Sequence, residues 1–344
     1  MISTRVIGFT LEDLYMNIGE VAKLAGVSSA AVSRYFNNGY ISDEKKERIK
    51  KVVEETGYRP SVQAQTLRTK KTRMIGVVLP KIDSATIGSM VSGILNLFNE
   101  SGYQLLIADT QNNPEKELEY LSAFDDKKVD GVILIATVFS AKHRRVLRTM
   151  TVPVVIVGQK LSGYHCVYHD DYNAVYDMTR LMIDKGCRNL GYIGVLHKDR
   201  AVGFERHEGY CRAVAEADME HCAENTVIAD FSIESGYEKA KELLNKCSSL
   251  DGIVCATDEI AVGAMQYMKE QKIDIPGEIM LSGHGDSVLT RVTTPTLTTI
   301  HFSYETCGEL AAQMMLSILA GEEVPVKEMK LGYFLVEHES TQNV

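Results

Sequence analysis

The chain has 344 residues and a mass of 38.2 kDa. At 45% apolar and 24% charged residues it has the balance of a folded water-soluble protein with room for two or three domains. No apolar run is long enough for a membrane span, and residues 1–15, which carry Glu12 and Asp13, lack the apolar stretch of a secretory signal. Seven scattered cysteines without a CxxC pair read as reduced thiols rather than a disulfide framework or a zinc site. A cytoplasmic protein with no membrane partner is expected.

The net charge of −9 is unevenly placed. Residues 17–73 hold 12 Lys/Arg against 6 Asp/Glu, a net of +6, whereas residues 74–344 carry −14. A small basic module is joined to a large acidic body, a distribution suited to a polyanionic partner for the module alone.

In chain order, Ile18, Val21, Ala22 and Ala25 form one face of a short helix, stopped at Gly26. Ser28 caps a second helix whose apolar residues are Ala31, Val32, Tyr35 and Phe36. Counted from Ile18, small Ala22 is fifth, Gly26 ninth and Val32 fifteenth, which is the spacing of a helix-turn-helix. A third helix follows, with Ser42 as N-cap, Ile49, Val52 and Val53 as its buried stripe and Gly57 as its stop. Three helices of this size make a DNA-reading domain with the second in the major groove.

The segments VAKLAGVSSAAVSRYFN and GYRPSVQAQTLRTKKTRMIGVVLP resemble the lactose-repressor (LacI) family of bacterial transcription regulators, and the resemblance runs from Met16 onward. In that family the helix-turn-helix opens shortly after the initiating Met, so 1–15 is expected to be a leader outside the natural start, with 16–61 as the DNA-binding domain and 62–72 as the hinge. The resemblance assigns DNA contacts to Ser28, Ser29, Ala30, Ser33, Arg34, Asn37 and Tyr40, and to Arg59, Ala64, Leu67 and Arg68 at and before the hinge. Small Ser29 and Ala30 leave Arg34 as the candidate for a guanine edge. Leu67 matches the family's minor-groove wedge, which unstacks a base step and bends the DNA.

From Met74 the short apolar runs MIGVVL, YQLLIA, VDGVILIA and VPVVIVG alternate with helical patterns, and LGYIGV, DGIVCA and LSG continue the scheme. Such alternation predicts parallel sheets covered by helices. VDGVILIAT from Val129 is echoed by LDGIVCATD from Leu250, which suggests two similar α/β lobes. The predicted fold is therefore a small all-α helix-turn-helix domain plus a two-lobed, periplasmic-binding-protein-like α/β domain over 73–344. The lobes are expected to comprise about 73–170 with 301–325, and 171–300 with 326–344, with a ligand crevice at the strand C-termini between them.

The motifs GxxxxGK[ST], GxSxG and HExxH are absent, and His169-Asp170-Asp171 reads as a strand end followed by a helix cap. No enzyme activity, cofactor or metal is expected. The resemblance places effector contacts at Lys81, Asp83, Thr137, Gln159, Arg206, Asp258 and Asp286. Arg206 matches the family's arginine that forks onto sugar hydroxyls. Within the family, YHDDYNAVYDMTRL and CATDEIAVGAMQYM look most like sucrose and trehalose operon repressors. That implies a homodimeric repressor with operator DNA and a small sugar or sugar phosphate as partners; a neutral disaccharide comes before its phosphate, because Gln159 stands where a second basic residue would be needed. The rival classes are a family member acting with a phosphoprotein co-regulator, and a two-lobed sugar-binding protein or enzyme without DNA function.

Overall fold

The computed structural model describes residues 16–37, 39–58, 71–126, 129–219 and 224–342. The chain divides at Thr72 into two units. In the first, α1 (Ile18–Ala25), α2 (Ser29–Phe36) and α3 (Asp43–Thr56) enclose a core of Val21, Ala22, Ala25, Ala31, Val32, Ile49, Val52 and Tyr58. Asn17 opens α1 with a capping box shared with Glu20, and Gly26 closes it in the left-handed conformation. The Arg48 guanidinium of α3 donates to the Gly26 carbonyl at 2.9 Å, pinning the turn. The spacing from Ala22 through Gly26 to Val32 does its expected work, since Ala22 and Val32 are buried at the crossing. Ile18, expected on the buried face, is 37% exposed, because the first turn of α1 extends past the core. Ser42 occupies the cap position of α3, but its side chain makes no capping bond.

The second unit begins with β1 (Met74–Leu79), α4 (Ala85–Ser101), β2 (Gln104–Asp109), α5 (Pro114–Asp125), β3 (Gly131–Ile135), α6 (Ala141–Thr149), β4 (Val154–Val157) and β5 (His165–His169). It continues with α7 (Asp171–Asp184), β6 (Leu190–Gly194), a wide π-type turn at Arg200–Glu205, α8 (Arg206–Glu216), β7 (Thr226–Ile228), α9 (Ile233–Lys246), β8 (Gly252–Cys255) and α10 (Asp258–Glu270). The last elements are β9 (Met280–Ser282), α11 (Leu289–Val292), β10 (Thr299–Phe302), α12 (Tyr304–Ala320), β11 (Glu328–Leu331) and β12 (Tyr333–Val336).

Two parallel sheets result, ordered β11-β5-β4-β3-β1-β2 and β7-β6-β8-β9. Strand alternation divides the first core: Ile75, Val77 and Leu79 meet Met90, Ile94 and Phe98 of α4 and Ala311 and Met315 of α12, whereas Val78 meets Leu121, Phe124 and Leu147 of α5 and α6. Helices α4 and α12 touch through glycine; a Cβ on Gly308 would lie 2.0 Å from the Met90 carbonyl oxygen. The second core is a single cluster around Tyr192, Tyr210, Ile253 and Leu281.

The chain passes between the sheets at 169–171, 302–304 and 331–333, and β10 pairs antiparallel with β12 in a ribbon beside these crossings. The expected assignment of 326–344 to the second lobe is corrected at β11, which pairs in parallel with β5 of the first sheet. That pairing satisfies the backbone edge β5 would otherwise leave open. Beyond β12 the chain does reach the second lobe, where the Ser340 hydroxyl donates to the Leu281 carbonyl at 2.6 Å. Cys166, Cys187, Cys247, Cys255 and Cys307 are free thiols, whereas Cys211 is disulfide-bonded, which corrects the reading of all seven as reduced. No helix among the described residues is long and apolar enough to cross a membrane.

Candidate functional sites: the helix pair and the interlobe cavity

The side of α2 away from the core is where the sequence places DNA contacts. Ser28 accepts from the Ala31 amide at 3.3 Å and fixes the start of the helix. Ala31 and Val32 turn inward, so Ser29, Ala30, Arg34 and Asn37 are exposed and Ser33 is half-buried. Tyr40 lies beyond the helix at 93% exposure. The Asn37 side-chain amide donates to the Ser33 carbonyl at 2.5 Å, tying off the last turn. Arg59, Ala64, Leu67 and Arg68 lie outside the described residues, as do 62–70 of the hinge and the leader 1–15.

Between the two sheets of the second unit lies a cavity of about 340 Å³, within the usual range of roughly 300–1,000 Å³ for small-molecule sites. Among its lining residues is Arg206, the first residue of α8, only 4% exposed. Arg206 Nε donates to Asp171 Oδ1 at 2.7 Å, and one Nη donates to the Ala256 carbonyl at 2.5 Å. Burial opposes the guanidinium's charge, but the adjoining Asp171 carboxylate overrides that and raises its pKa above the ordinary value. One edge of the fork is thus held by the protein, and Arg206 also lines the cavity. Its guanidinium lies 5.3 Å from the centroid of the Phe302 ring, at the crossing between lobes.

Around this pair the wall is acidic. Lys81 sits 3.3 Å from Asp83, so both cationic residues of the lining are matched to carboxylates. Asp199, Glu234 and Glu259 add three carboxylates with no ion pair among the described residues. Asp199 caps the π-type turn by accepting from the Val202 amide at 2.9 Å, and burial pushes its carboxyl up to about 6. Phe231 and Tyr304 add aromatic faces, and His169 and His284 add buried imidazoles. Among the described residues no group of His, Cys, Asp and Glu is placed to hold a metal ion.

Of the seven effector residues taken from the sequence, Lys81, Asp83, Thr137 and Arg206 line the cavity. The other three are directed elsewhere. Gln159 is 3% exposed, and its Nε2 donates to the carbonyls of Thr137 and Ala136 behind the wall. Asp258 accepts from the Thr299 hydroxyl at 2.6 Å and the Ser287 amide at 2.7 Å, so it braces the loop after β9. Asp286 is occupied by Arg291 at 3.1 Å and His301 at 2.8 Å. Asp171 went unassigned because it follows a helix cap. Asp170 is indeed that cap, and the next residue turns into the cavity. Charged Asp171 at a strand-to-helix junction was the available signal; its pairing with a residue 35 positions later was not visible.

Residues 17–61 match the family model "Bacterial regulatory proteins, lacI family", and residues 179–341 match "Periplasmic binding protein-like domain". The chain is 32% identical over 295 residues to the sucrose operon repressor of Staphylococcus xylosus, covering 86% of this chain and 91% of that one. It is 28% identical over 311 residues to the HTH-type transcriptional regulator TreR of Escherichia coli (strain K12), covering 90% and 96%. Among solved structures, the lac repressor dimer bound to operator and the anti-inducer ONPF has the same fold, with a TM-score of 0.88 at 20% identity over 96% of this chain and 100% of that one. With a helix-turn-helix core, a two-lobed α/β body and a relative of this identity along most of both chains, the protein belongs to the lacI family of bacterial regulatory proteins.

Proposed function

We propose that this chain is a homodimeric repressor of a sugar-utilisation operon, released from a pseudo-palindromic operator by a non-phosphorylated disaccharide. Ser29, Ala30, Ser33, Arg34 and Asn37 read the major groove, and Arg206 receives the sugar. The observation that carries the choice of ligand is the cavity's charge. Its two cations, Lys81 and Arg206, are each paired with a carboxylate, and three further carboxylates line the wall. A phosphate entering there would meet no unspent cation, whereas a polyol would find acceptors on every side.

The similarity to a sucrose operon repressor supports the disaccharide class. A dimer is supported by β2, the edge strand of the first sheet, on which Leu106 and Ile107 are 39% and 43% exposed. An open apolar edge of this kind suits a partner subunit, and two-fold symmetry requires matched half-sites in the DNA. The sugar acts by differential affinity for two lobe arrangements, which in turn set whether the 62–72 segment engages DNA.

The test is fluorescence anisotropy on a labelled, centrally symmetric duplex from upstream of the protein's own gene, at fixed salt. The complex is challenged with sucrose, trehalose, maltose and their 6-phosphates. Release by a neutral disaccharide and not by the 6-phosphates is expected. Release by a 6-phosphate alone, or tight DNA binding that no sugar perturbs, overturns the choice of ligand; absence of DNA binding overturns the repressor.

A further inference from the structure

Helix α6 (Ala141–Thr149) reads AKHRRVLRT, with four Lys/Arg and no Asp or Glu, inside a body whose residues 74–344 carry a net charge of −14. His143 and Leu147 are buried and fix its inward side, so Lys142, Arg144, Arg145 and Arg148 are exposed. On the helix surface Arg148 neighbours both Arg144 and Arg145, four and three residues back. The carboxylates of the adjoining α5 are largely engaged elsewhere. Glu115 takes Lys142 at 2.8 Å, Glu117 lies 3.2 Å from the buried His143 ring, and Asp125 accepts from the Thr151 and Val152 amides. Glu119 and Asp126 stay exposed. Arg144, Arg145 and Arg148 have no ion pair among the described residues. Like charges at this spacing destabilise a helix, and the helix dipole favours only Arg148, in the last turn. Stability of the fold therefore does not account for the cluster.

The patch also has a direction. β1, β2, β3 and β4 run parallel, with Met74, Gln104, Gly131 and Val154 at one end of the sheet. Helix α6 runs back toward that end, where Asp130 accepts from the Arg73 amide at 3.0 Å. Arg73 is exposed there, its guanidinium 5.3 Å from the centroid of the Tyr103 ring. At this end the chain arrives from the helical unit. The effector cavity, lined by Pro80, Ala136 and Gly158, lies at the opposite ends of the strands. The arginines are thus no part of it.

We propose that Arg144, Arg145 and Arg148 form a second DNA contact, on the phosphate backbone that flanks the operator. A guanidinium pairs with a phosphate through two parallel hydrogen bonds whatever the base, so the contact adds affinity without sequence preference. This inference rests on operator binding and is independent of which sugar releases the DNA.

The experiment is binding of the full chain, over a range of salt concentrations, to a duplex confined to the operator and to one extended by several helical turns on each side. Wild type should bind the extended duplex more tightly and with a steeper salt dependence. The R144A/R145A/R148A variant should lose roughly 10-fold on the extended duplex, and the slope of log affinity against log salt should shrink by about 2 to 3. Alanine favours the helix, and on the operator-only duplex this variant should match wild type, which separates a lost contact from a misfolded protein. The R144K/R145K/R148K variant keeps the charges and should keep the slope. Uncharged methylphosphonate linkages in the flanks should weaken wild type and leave the alanine variant unchanged. Equal binding of wild type and the alanine variant to the extended duplex overturns the inference and leaves the patch to an acidic protein. Equal losses on both duplexes overturn it too, since the arginines would then act at the operator itself. If wild type binds neither duplex, the repressor reading fails first and takes this inference with it.

Discussion

Arg206 and Asp171 form a buried ion pair, each side chain 5% exposed, in which either partner without the other is an uncompensated charge. Arg206→Ala is therefore expected to cost about 3–5 kcal/mol of stability and to abolish the sugar response. Denaturant unfolding beside a sugar titration checks both. Arg206→Lys should keep much of the stability and still lose affinity for the sugar, because an ammonium has no planar fork for adjacent hydroxyls. Asp258 illustrates a different pressure. Burial, opposed by its bonds from Thr299 and Ser287, raises its carboxyl to about 6. The folded state thus holds this proton more tightly than an unfolded aspartate near ~3.9 does. Its contribution to stability is full below about pH 4 and is lost as pH rises through about 6. Against non-titrating Asp258→Asn, the wild type should lose on the order of 2 kcal/mol between those limits; a difference that stays level across that range contradicts the shift.

At the scale of elements, α2, on which we place the DNA contacts, starts at one side-chain cap. Ser28→Ala removes the acceptor for the Ala31 amide and should destabilise the helical unit by about 1 kcal/mol, measurable by thermal unfolding of the full chain. Arg34→Ala should cost about 1–3 kcal/mol on the specific operator and much less on random duplex. An equal loss on both would make Arg34 a phosphate contact instead. These elements were legible because their signals are local. Gly26 as a stop, Ser28 as a cap and the buried Ala22–Val32 crossing follow from spacing within a dozen residues. The apolar runs that became β1, β3, β4, β6 and β8 were legible for the same reason, since buried parallel strands read as continuous hydrophobic stretches. By contrast β7, three residues long, left too short a pattern to stand out.

For the whole molecule, what escaped the sequence was everything decided by long-range partners. β11 returns to the first sheet because β5, some 160 residues earlier, offers it a pairing edge. Asp258 and Asp286 carry charges at plausible strand ends, yet Thr299, Ser287, Arg291 and His301 occupy them from other segments. The same folding that diverted these carboxylates placed His169 of the first lobe and His284 of the second among the residues lining one cavity. Basic charge concentrated in 17–73 and acidic charge in the body are consistent with one unit for DNA and another for a neutral ligand.

The central claim is that occupancy of the Arg206 cavity and binding of operator oppose one another, and such coupling must be reciprocal. The measurement that tests it is isothermal titration of the releasing disaccharide into the protein alone and into the protein saturated with operator duplex. A sugar affinity about 10-fold or more weaker on the operator complex is expected, matching the factor by which the sugar weakens DNA binding. Equal affinities in the two titrations would contradict the account.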